Sequence, residues 1–424
     1  MSQPTHPGLS FVTFRAAEQP DRLDGWFEAL ARGFHQGRTS EDYRRHSLEY
    51  FEADDVVLRG AWQDRPALGS GTIPVATYAS FDKTLNTGRG LQPVRMVSDI
   101  TVSPAHRRRG LLRTLMTEDL RDAVERGIPL AVLTASEGSI YGRFGFGPAV
   151  FHHAITVDTS PRFELRGPAD DDGMVELLEP AEAWPTVAAV FGRFHERTRG
   201  SVERPRFYQT FLTGEFDFES GADKQLRTAV HLDAAGTPDG YVAYRPGPRE
   251  NGRRTIKVTD LVALTPAAYL QLWRFLAGLD LSDTVACDRA PLDDPISWAL
   301  VDPFLVRVTK LTDALWVRVL DVPAALQARP WGRDGDVVVE IADPLGHATG
   351  RFRVVTRDGV AEVSTSDAEA EVTMDAETLG ALYLGGVRAD TLQRAGRLSG
   401  SESGLRTWAA MVDTGPAPYC ITGF

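Results

Sequence analysis

Along the first third of the chain the apolar positions switch between two periods, and each switch marks an element. Leu9 to Phe14, with its aromatic and β-branched residues, reads as a strand. Trp26, Phe27, Leu30 and Phe34 recur at helical spacing, predicting a helix over Asp21 to Phe34, and a second covers Ser40 to Phe51. Apolar runs at Val56 to Trp62 and Thr72 to Tyr78, split by a polar, Gly-bearing segment, predict a meander that continues into a strand from Val94 to Val102. Ser103-Pro104-Ala105 breaks that strand. From Arg109 to Arg126, Leu112, Leu115, Met116, Leu120, Ala123 and Val124 return to helical spacing until Gly127 ends the helix, and Ile128 to Thr134 is the next buried strand.

The middle third echoes this unit. VSDITVSPAHRRRGLLRTLM (97–116) and VTDLVALTPAAYLQLWRFLAGL (258–279) share a strand, an Asp, apolar alternation, a Pro-Ala break and an amphipathic helix. Aligned on the proline, the second copy has Tyr269, Leu270, Gln271 and Leu272 in place of the arginines and glycine, so it reads as a degenerate duplicate without an anion site. From about residue 308 the texture changes again: LWVRVLDVPAAL, VVVEIAD, GRFRVV and AEVTM alternate as strands, and Ala376 to Leu384 and Leu405 to Val412 read as helices. The reading is a mixed α/β (α+β) chain of three packed units, 1–155, 156–307 and 308–424.

Length agrees with this division, since 424 residues at about 150 per domain predict about three domains. With 46 basic against 58 acidic residues the net charge is −12, which offers no positive field for a nucleic acid or an anionic membrane. No apolar run approaches the ~20 residues of a membrane span, and MSQPTHPGLSFVTF lacks the pattern of a secretory leader, so a cytoplasmic protein is expected. Cys287 and Cys420 are too few for a disulfide framework and read as free thiols; the nine histidines show no ligand spacing, and no metal is expected.

The chemistry concentrates after the break at Ser103. Arg107-Arg108-Arg109-Gly110-Leu111-Leu112 follows a strand and opens a helix, where backbone N–H groups and the helix dipole receive phosphate. Arginines add fixed charge, and Gly110 lets the backbone approach the anion. On the far side of the next strand come Ser136-Glu137-Gly138 and Ile140-Tyr141-Gly142-Arg143-Phe144-Gly145-Phe146-Gly147, whose glycines would free the backbone to aim the Tyr141 ring.

This arrangement resembles the GNAT acetyltransferase superfamily, whose pyrophosphate loop reads R/Q-x-x-G-x-G/A; Arg107 and Gly110 meet the pattern, while Leu112 stands where Gly or Ala is usual. HRRRGLL, ASEGSIYGRFGFGPA, VPAAL, LYLGG and the final Phe are together similar to the Eis ("enhanced intracellular survival") family of bacterial N-acetyltransferases over essentially the whole chain. The resemblance implies tandem GNAT folds, the second without cofactor, and a carboxy-terminal domain like sterol carrier proteins. It also implies a homohexamer that uses acetyl-CoA on amines, aminoglycosides among them. Carried over by motif, the acetyl-CoA site is Ile100, Thr101 and Val102, then Arg108, Arg109, Gly110, Leu111, Leu112 and Arg113, with Ser136 and Glu137. An alkylamine with a pKa of about 10.4 must lose a proton before it attacks a thioester. For that the family uses the terminal carboxylate, here of Phe424, with Tyr141 as the acid.

Departures fall on the acceptor side. Gly423 and, in the loop after the first helix, Gln36 and Gly37 stand where antibiotic-modifying relatives carry acidic or aromatic residues, which weakens the case for polycations; Phe34 remains as a pocket wall, with Glu49, Tyr50 and Phe51 beside it. A smaller or less cationic amine, or a protein lysine, stays open as the acceptor. Two alternatives stand beside this reading: a different acyl donor, and a noncatalytic carrier whose third domain binds an apolar ligand while the first senses acyl-CoA.

Overall fold

Strand β1 (Leu9–Phe14) leads into helices α1 (Pro20–Gly33) and α2 (Glu41–Ala53). Strands β2 (Val57–Gln63), β3 (Ala76–Asn86) and β4 (Leu91–Val102) then run back and forth before helix α3 (Leu111–Glu125) crosses to β5 (Leu130–Leu133). The structure, a computed structural model, describes residues 6–68, 71–167, 172–250 and 253–424; the first five residues, part of the stretch read for a leader, lie outside them. The helical spacing of α1 marks its buried face, Leu23, Trp26, Phe27 and Leu30, and the Ser40 side chain caps α2 by accepting from the Tyr43 N–H. The strand expected from Thr72 begins only at Ala76. The Thr72 carbonyl is engaged elsewhere: it accepts from the Trp62 indole at 2.9 Å and abuts Gly25 of α1, where a Cβ would lie 2.0 Å away.

A short helix α4 (Gly138–Tyr141) and strand β6 (Gly147–Asp158) follow, and then the succession repeats. Strand β7 (Met174–Leu178), helices α5 (Pro180–Arg197) and α6 (Tyr208–Thr213), strands β8 (Arg227–Leu232), β9 (Pro238–Glu250) and β10 (Arg253–Ala263), helix α7 (Pro266–Ala277) and strand β11 (Ser282–Ala290) reproduce the first unit element for element. In both, an antiparallel meander ends in a parallel pair, β4 with β5 and β10 with β11. The copies differ between strand and helix. The first has a loop from Ser103 to Gly110; the second has only Leu264 and Thr265, and the Thr265 side chain caps α7 by accepting from Ala268 N–H. That capped end leaves no loop to receive an anion.

After α8 (Ile296–Ala299), strand β12 (Val306–Val319) enters between β5 and β6, antiparallel to both, and joins the two copies into one twelve-stranded sheet. The run LWVRVL, read as opening the third unit, therefore lies in this long sheet, because alternation identifies a strand but not its partners. The rest of the chain adds α9 (Val322–Gln327), β13 (Gly335–Ala342), β14 (Gly350–Arg357), β15 (Val360–Thr365), β16 (Val372–Asp375), α10 (Ala376–Tyr383), α11 (Ala389–Arg394), β17 (Ser399–Gly400) and α12 (Glu402–Val412). Its sheet has the order β15-β14-β13-β16-β17. One apolar core runs from Trp26 and Phe51 through Val317 to Val339, Leu382 and Trp408, so this unit is packed on the first rather than tethered to it. Trp26 and Trp408 are fully buried, each contributing on the order of 2–3 kcal/mol.

Candidate active site at the opening of the first sheet

Strands β4 and β5 pair from Val94↔Leu130 to Val97↔Leu133 and then part. Against β3 the register slips between Thr77↔Thr101 and Ala79↔Ser98, a bulge at Asp99 and Ile100 that bends β4 away from its neighbour. Asp99 takes a left-handed φ of 54°, and the Thr77 hydroxyl donates to its carbonyl at 2.9 Å. Beyond Val97, Ile100, Thr101 and Val102 have no strand on the β5 side, which leaves a backbone edge facing the gap.

The loop below the gap is shaped for an anion. Arg108 and Gly110 adopt φ of 63° and 83°, Gly110 precedes Leu111 as an uncapped start to α3, and the first turn holds no acidic residue. Arg107, Arg108 and Arg109 are exposed, with no ion-pair partner among the described residues. Leu111 is buried and Leu112 half-buried against the sheet, while Arg113 is exposed, so the departure at Leu112 fills core space and leaves the backbone of the turn free. A buried network sets the helix on the sheet. Asp119 of α3 is paired with Arg59 at 2.7 Å and Arg95 at 2.5 Å and accepts from Tyr78 and Ser80, both at 2.7 Å.

Tyr141 closes α4 and is buried in the cluster on the α3 face with Leu111, Leu115 and Val97. Burial pushes its hydroxyl up, a hydrogen bond with Ser136 opposes this, and the Glu137 charge adds to it; Ser136 and Glu137 are exposed. The glycines around the tyrosine have a different reason from the one expected. A Cβ on Gly145 (φ 79°) would stand 2.4 Å from the Arg318 guanidinium, one on Gly142 2.6 Å from the Glu377 carboxyl and one on Gly147 2.0 Å from the Glu377 carbonyl. They let β12 and α10 press against this turn.

The chain end arrives on the opposite face. Phe424 packs with Phe81 at 6.3 Å between ring centroids, within the cluster under α1 and α2, and its carboxylate accepts from the Thr134 hydroxyl at 2.6 Å. Thr134 is one residue beyond the last paired position of β5, so this carboxylate stands at the opening. Tyr141 and Phe424 thus belong to different faces of one sheet, and the parting of β4 and β5 is where groups from both faces can address one ligand.

On the acceptor side, Gly33 approaches Thr101 so closely that a Cβ would lie 2.3 Å from its methyl carbon, which sets exposed Phe34 and Gln36 beside the free end of β4. Tyr50 is buried edge-on to Phe81 at 5.8 Å; Phe51 is a core residue and Glu49 is exposed. Between α2 and α6 lies a cleft of about 530 Å³ lined by Tyr50, His46, Glu49, Glu52, Glu215 and Arg206, three carboxylates to one guanidinium. The sequence reading missed Asp99. Burial pushes its carboxyl up to about 6, and its charge, after burial, raises the Tyr43 and Tyr50 hydroxyls. A lone Asp within a strand carries no signal of a bulge. Burial pushes the Cys287 thiol up to about 12 and raises that of Cys420, so neither is a ready nucleophile. Among the described residues no cluster of three or more His, Cys, Asp or Glu could hold a metal, and no helix is long and apolar enough to cross a membrane.

Comparison with known proteins agrees with the geometry. Family models described as acetyltransferase (GNAT) domain match residues 13–149 and 200–319, and one described as sterol carrier protein domain matches 322–421. The chain is 37% identical to the N-acetyltransferase Eis of Mycobacterium tuberculosis (strain ATCC 25177 / H37Ra) over 356 residues, 82% of this chain and 84% of the relative. It is 33% identical to an uncharacterized N-acetyltransferase of Streptomyces griseus, covering 95% of this chain and 97% of that one. The crystal structure of Eis1 from Mycobacterium abscessus superposes with a TM-score of 0.82 at 31% identity, over 98% of this chain and all of that one. Two GNAT folds, a sterol-carrier-like third domain and this degree of identity place the chain in the Eis family of GNAT N-acetyltransferases.

Proposed function

We propose that the enzyme moves an acetyl group from acetyl-CoA to a primary amine, with the Phe424 carboxylate as proton acceptor and Tyr141 as proton donor. The free edge at Ile100, Thr101 and Val102 suits the amides of a pantetheine arm. The turn from Arg108 to Arg113, with Gly110, Leu111 and Leu112 offering backbone N–H groups, suits the phosphates, and Ser136 and Glu137 border the gap from the β5 side. Acetyl-CoA supplies an activated thioester carbonyl. The substrate ammonium gives its proton to the Phe424 carboxylate, which Thr134 holds; the freed lone pair forms the N–C bond as the C–S bond breaks, and Tyr141 protonates the departing sulfur. The first proton passes from Phe424 to solvent, the acylated nitrogen then sheds its second proton, Tyr141 is reprotonated from solvent, and the N-substituted acetamide and the free thiol are the products.

The observation that carries this reading is the Thr134–Phe424 hydrogen bond of 2.6 Å at the opening of the sheet. Acceptor recognition belongs to Phe34, Gln36 and Asp99, where a small amine, or a lysine side chain on a protein, would bring a positive charge to a carboxylate that has no ion-pair partner among the described residues. The resemblance further supports a cytoplasmic homohexamer. CoA release measured over a panel of amines, with the free carboxy terminus and with a chain extended past Phe424, tests the mechanism: turnover lost on extension is expected. Equal turnover in both forms would remove Phe424 from the reaction, and no turnover in either would return the noncatalytic carrier.

A further inference from the structure

We infer that the second fold has kept the opened strand pair of an acyl-CoA site and uses it to seat the chain's own carboxy-terminal segment, with Arg289 and Tyr208 as positioning residues for the terminal carboxylate. The inference rests on the reading of Phe424 as proton acceptor. In the second fold β10 and β11 stay paired to Val258↔Cys287 and then part, as β4 and β5 do after Val97↔Leu133. With the phosphate loop gone, nothing there selects for a nucleotide. The gap instead takes Tyr419 and Ile421, which together with Val258, Ala263, Tyr269 and Trp273 line a residual cavity of about 170 Å³.

Each residue of the segment is tied down in turn. Tyr419 donates from its hydroxyl to the Arg289 carbonyl at 2.6 Å, the Cys420 carbonyl meets His152 Nε2, and Arg289 Nη1 donates to the Ile421 carbonyl at 3.0 Å. Thr422 donates to the Val202 carbonyl at 3.2 Å, and Gly423 N–H donates to the Tyr208 hydroxyl at 2.8 Å. The Arg289 guanidinium also lies on Gly423, with Nη2 3.3 Å from where a Cβ would be, so a side chain at that position would ask it to give by a few tenths of an ångström. A chain end ordinarily frays, and fixing each backbone residue costs about 1–2 kcal/mol. This row of bonds is what offsets that cost and delivers the carboxylate to Thr134. A proton acceptor displaced by about 1 Å forfeits on the order of a hundredfold in rate, so the seat acts on turnover while the acetyl-CoA site, in the first fold, is untouched.

The test uses the full-length chain with Arg289→Gln, Arg289→Lys and Tyr208→Phe, reading kcat, KM for acetyl-CoA, and the rate at which a carboxypeptidase releases Phe424. Arg289→Gln is expected to lower kcat on the order of 10–100-fold with KM for acetyl-CoA unchanged and Phe424 released faster; Arg289→Lys recovers part of both. Tyr208→Phe, which keeps the ring and removes one acceptor, gives the same pair of changes in smaller measure and serves if Arg289→Gln fails to fold. Unaltered release of Phe424 overturns the seat, and faster release with unaltered kcat overturns the positioning role. Retained turnover in the chain extended past Phe424 marks instead a failure of the underlying mechanism.

Discussion

At the scale of single residues the proposed acceptor side turns on Asp99, a carboxylate that burial raises to about 6 from an ordinary 3.8. A raised folded-state pKa means that the native state holds this proton more tightly than the unfolded chain. The resulting stabilisation is present below the unfolded value and is lost as pH rises through about 6. Asn tolerates the left-handed backbone of this position and carries no charge. Asp99→Asn should therefore raise unfolding free energy at pH 8 by roughly 1–3 kcal/mol and change little at pH 4, while KM for the amine rises. Urea melts at the two pH values decide this, and an equal difference at both would remove the burial argument. Burial shifts Tyr141 in the same direction, raising a hydroxyl that is protonated at neutral pH in any case. Tyr141→Phe should lower kcat by about 10²–10⁴-fold and leave KM for acetyl-CoA where it was; a fall in kcat of less than about threefold would deny it the role of acid.

At the scale of elements, the proposed phosphate site needs the uncapped end of α3 held under the gap, and the Asp119 network with Arg59 and Arg95 ties that helix to the sheet. Asp119→Ala would leave buried Arg59 without its carboxylate and take one of three from buried Arg95, which keeps Asp82 and Asp122, and should cost about 3–5 kcal/mol in a denaturant titration. A loss below about 1 kcal/mol would mean that the network is dispensable. The loop itself predicts a salt effect: replacing Arg108 and Arg109 by Ala should raise KM for acetyl-CoA and flatten its dependence on ionic strength, which steady-state kinetics at two salt concentrations measures. The helices and the strand-loop-helix were legible in sequence because their signals are local: the 3.6 period, the Pro break, the stop at Gly127. The bulge at Asp99 was not, since the slip arises between two strands and neither states it alone. Nor was the use of Gly142, Gly145 and Gly147, which is set by Glu377 and Arg318 more than 170 positions away along the chain.

At the scale of the whole molecule, Trp298 and Phe304 are 83% and 86% exposed, and Val301, Val308 and Leu311, near them along the chain, are exposed as well. Exposed large apolar side chains concentrated in one stretch of chain would suit a subunit contact in the proposed hexamer. Sedimentation should return a particle several times the 46.5 kDa chain, and Trp298→Asp with Phe304→Asp should shift it toward the monomer. A wild-type particle of chain mass would refute the assembly. By itself the sequence determined the repeated succession of elements and the arginine-glycine turn present in one copy and missing from the other; Tyr141 and Phe424, on which the chemistry is proposed to turn, came from the family resemblance. All of these rest on order along the chain or on motifs that survive without partners. Only the tertiary structure decided that β12 would bridge β5 and β6, that Tyr141 and Phe424 would pack on opposite faces of one sheet, and that the chain's end would line the cavity of the second fold. Those are contacts between residues far apart in sequence, set by packing volumes and hydrogen-bond partners that no local pattern encodes.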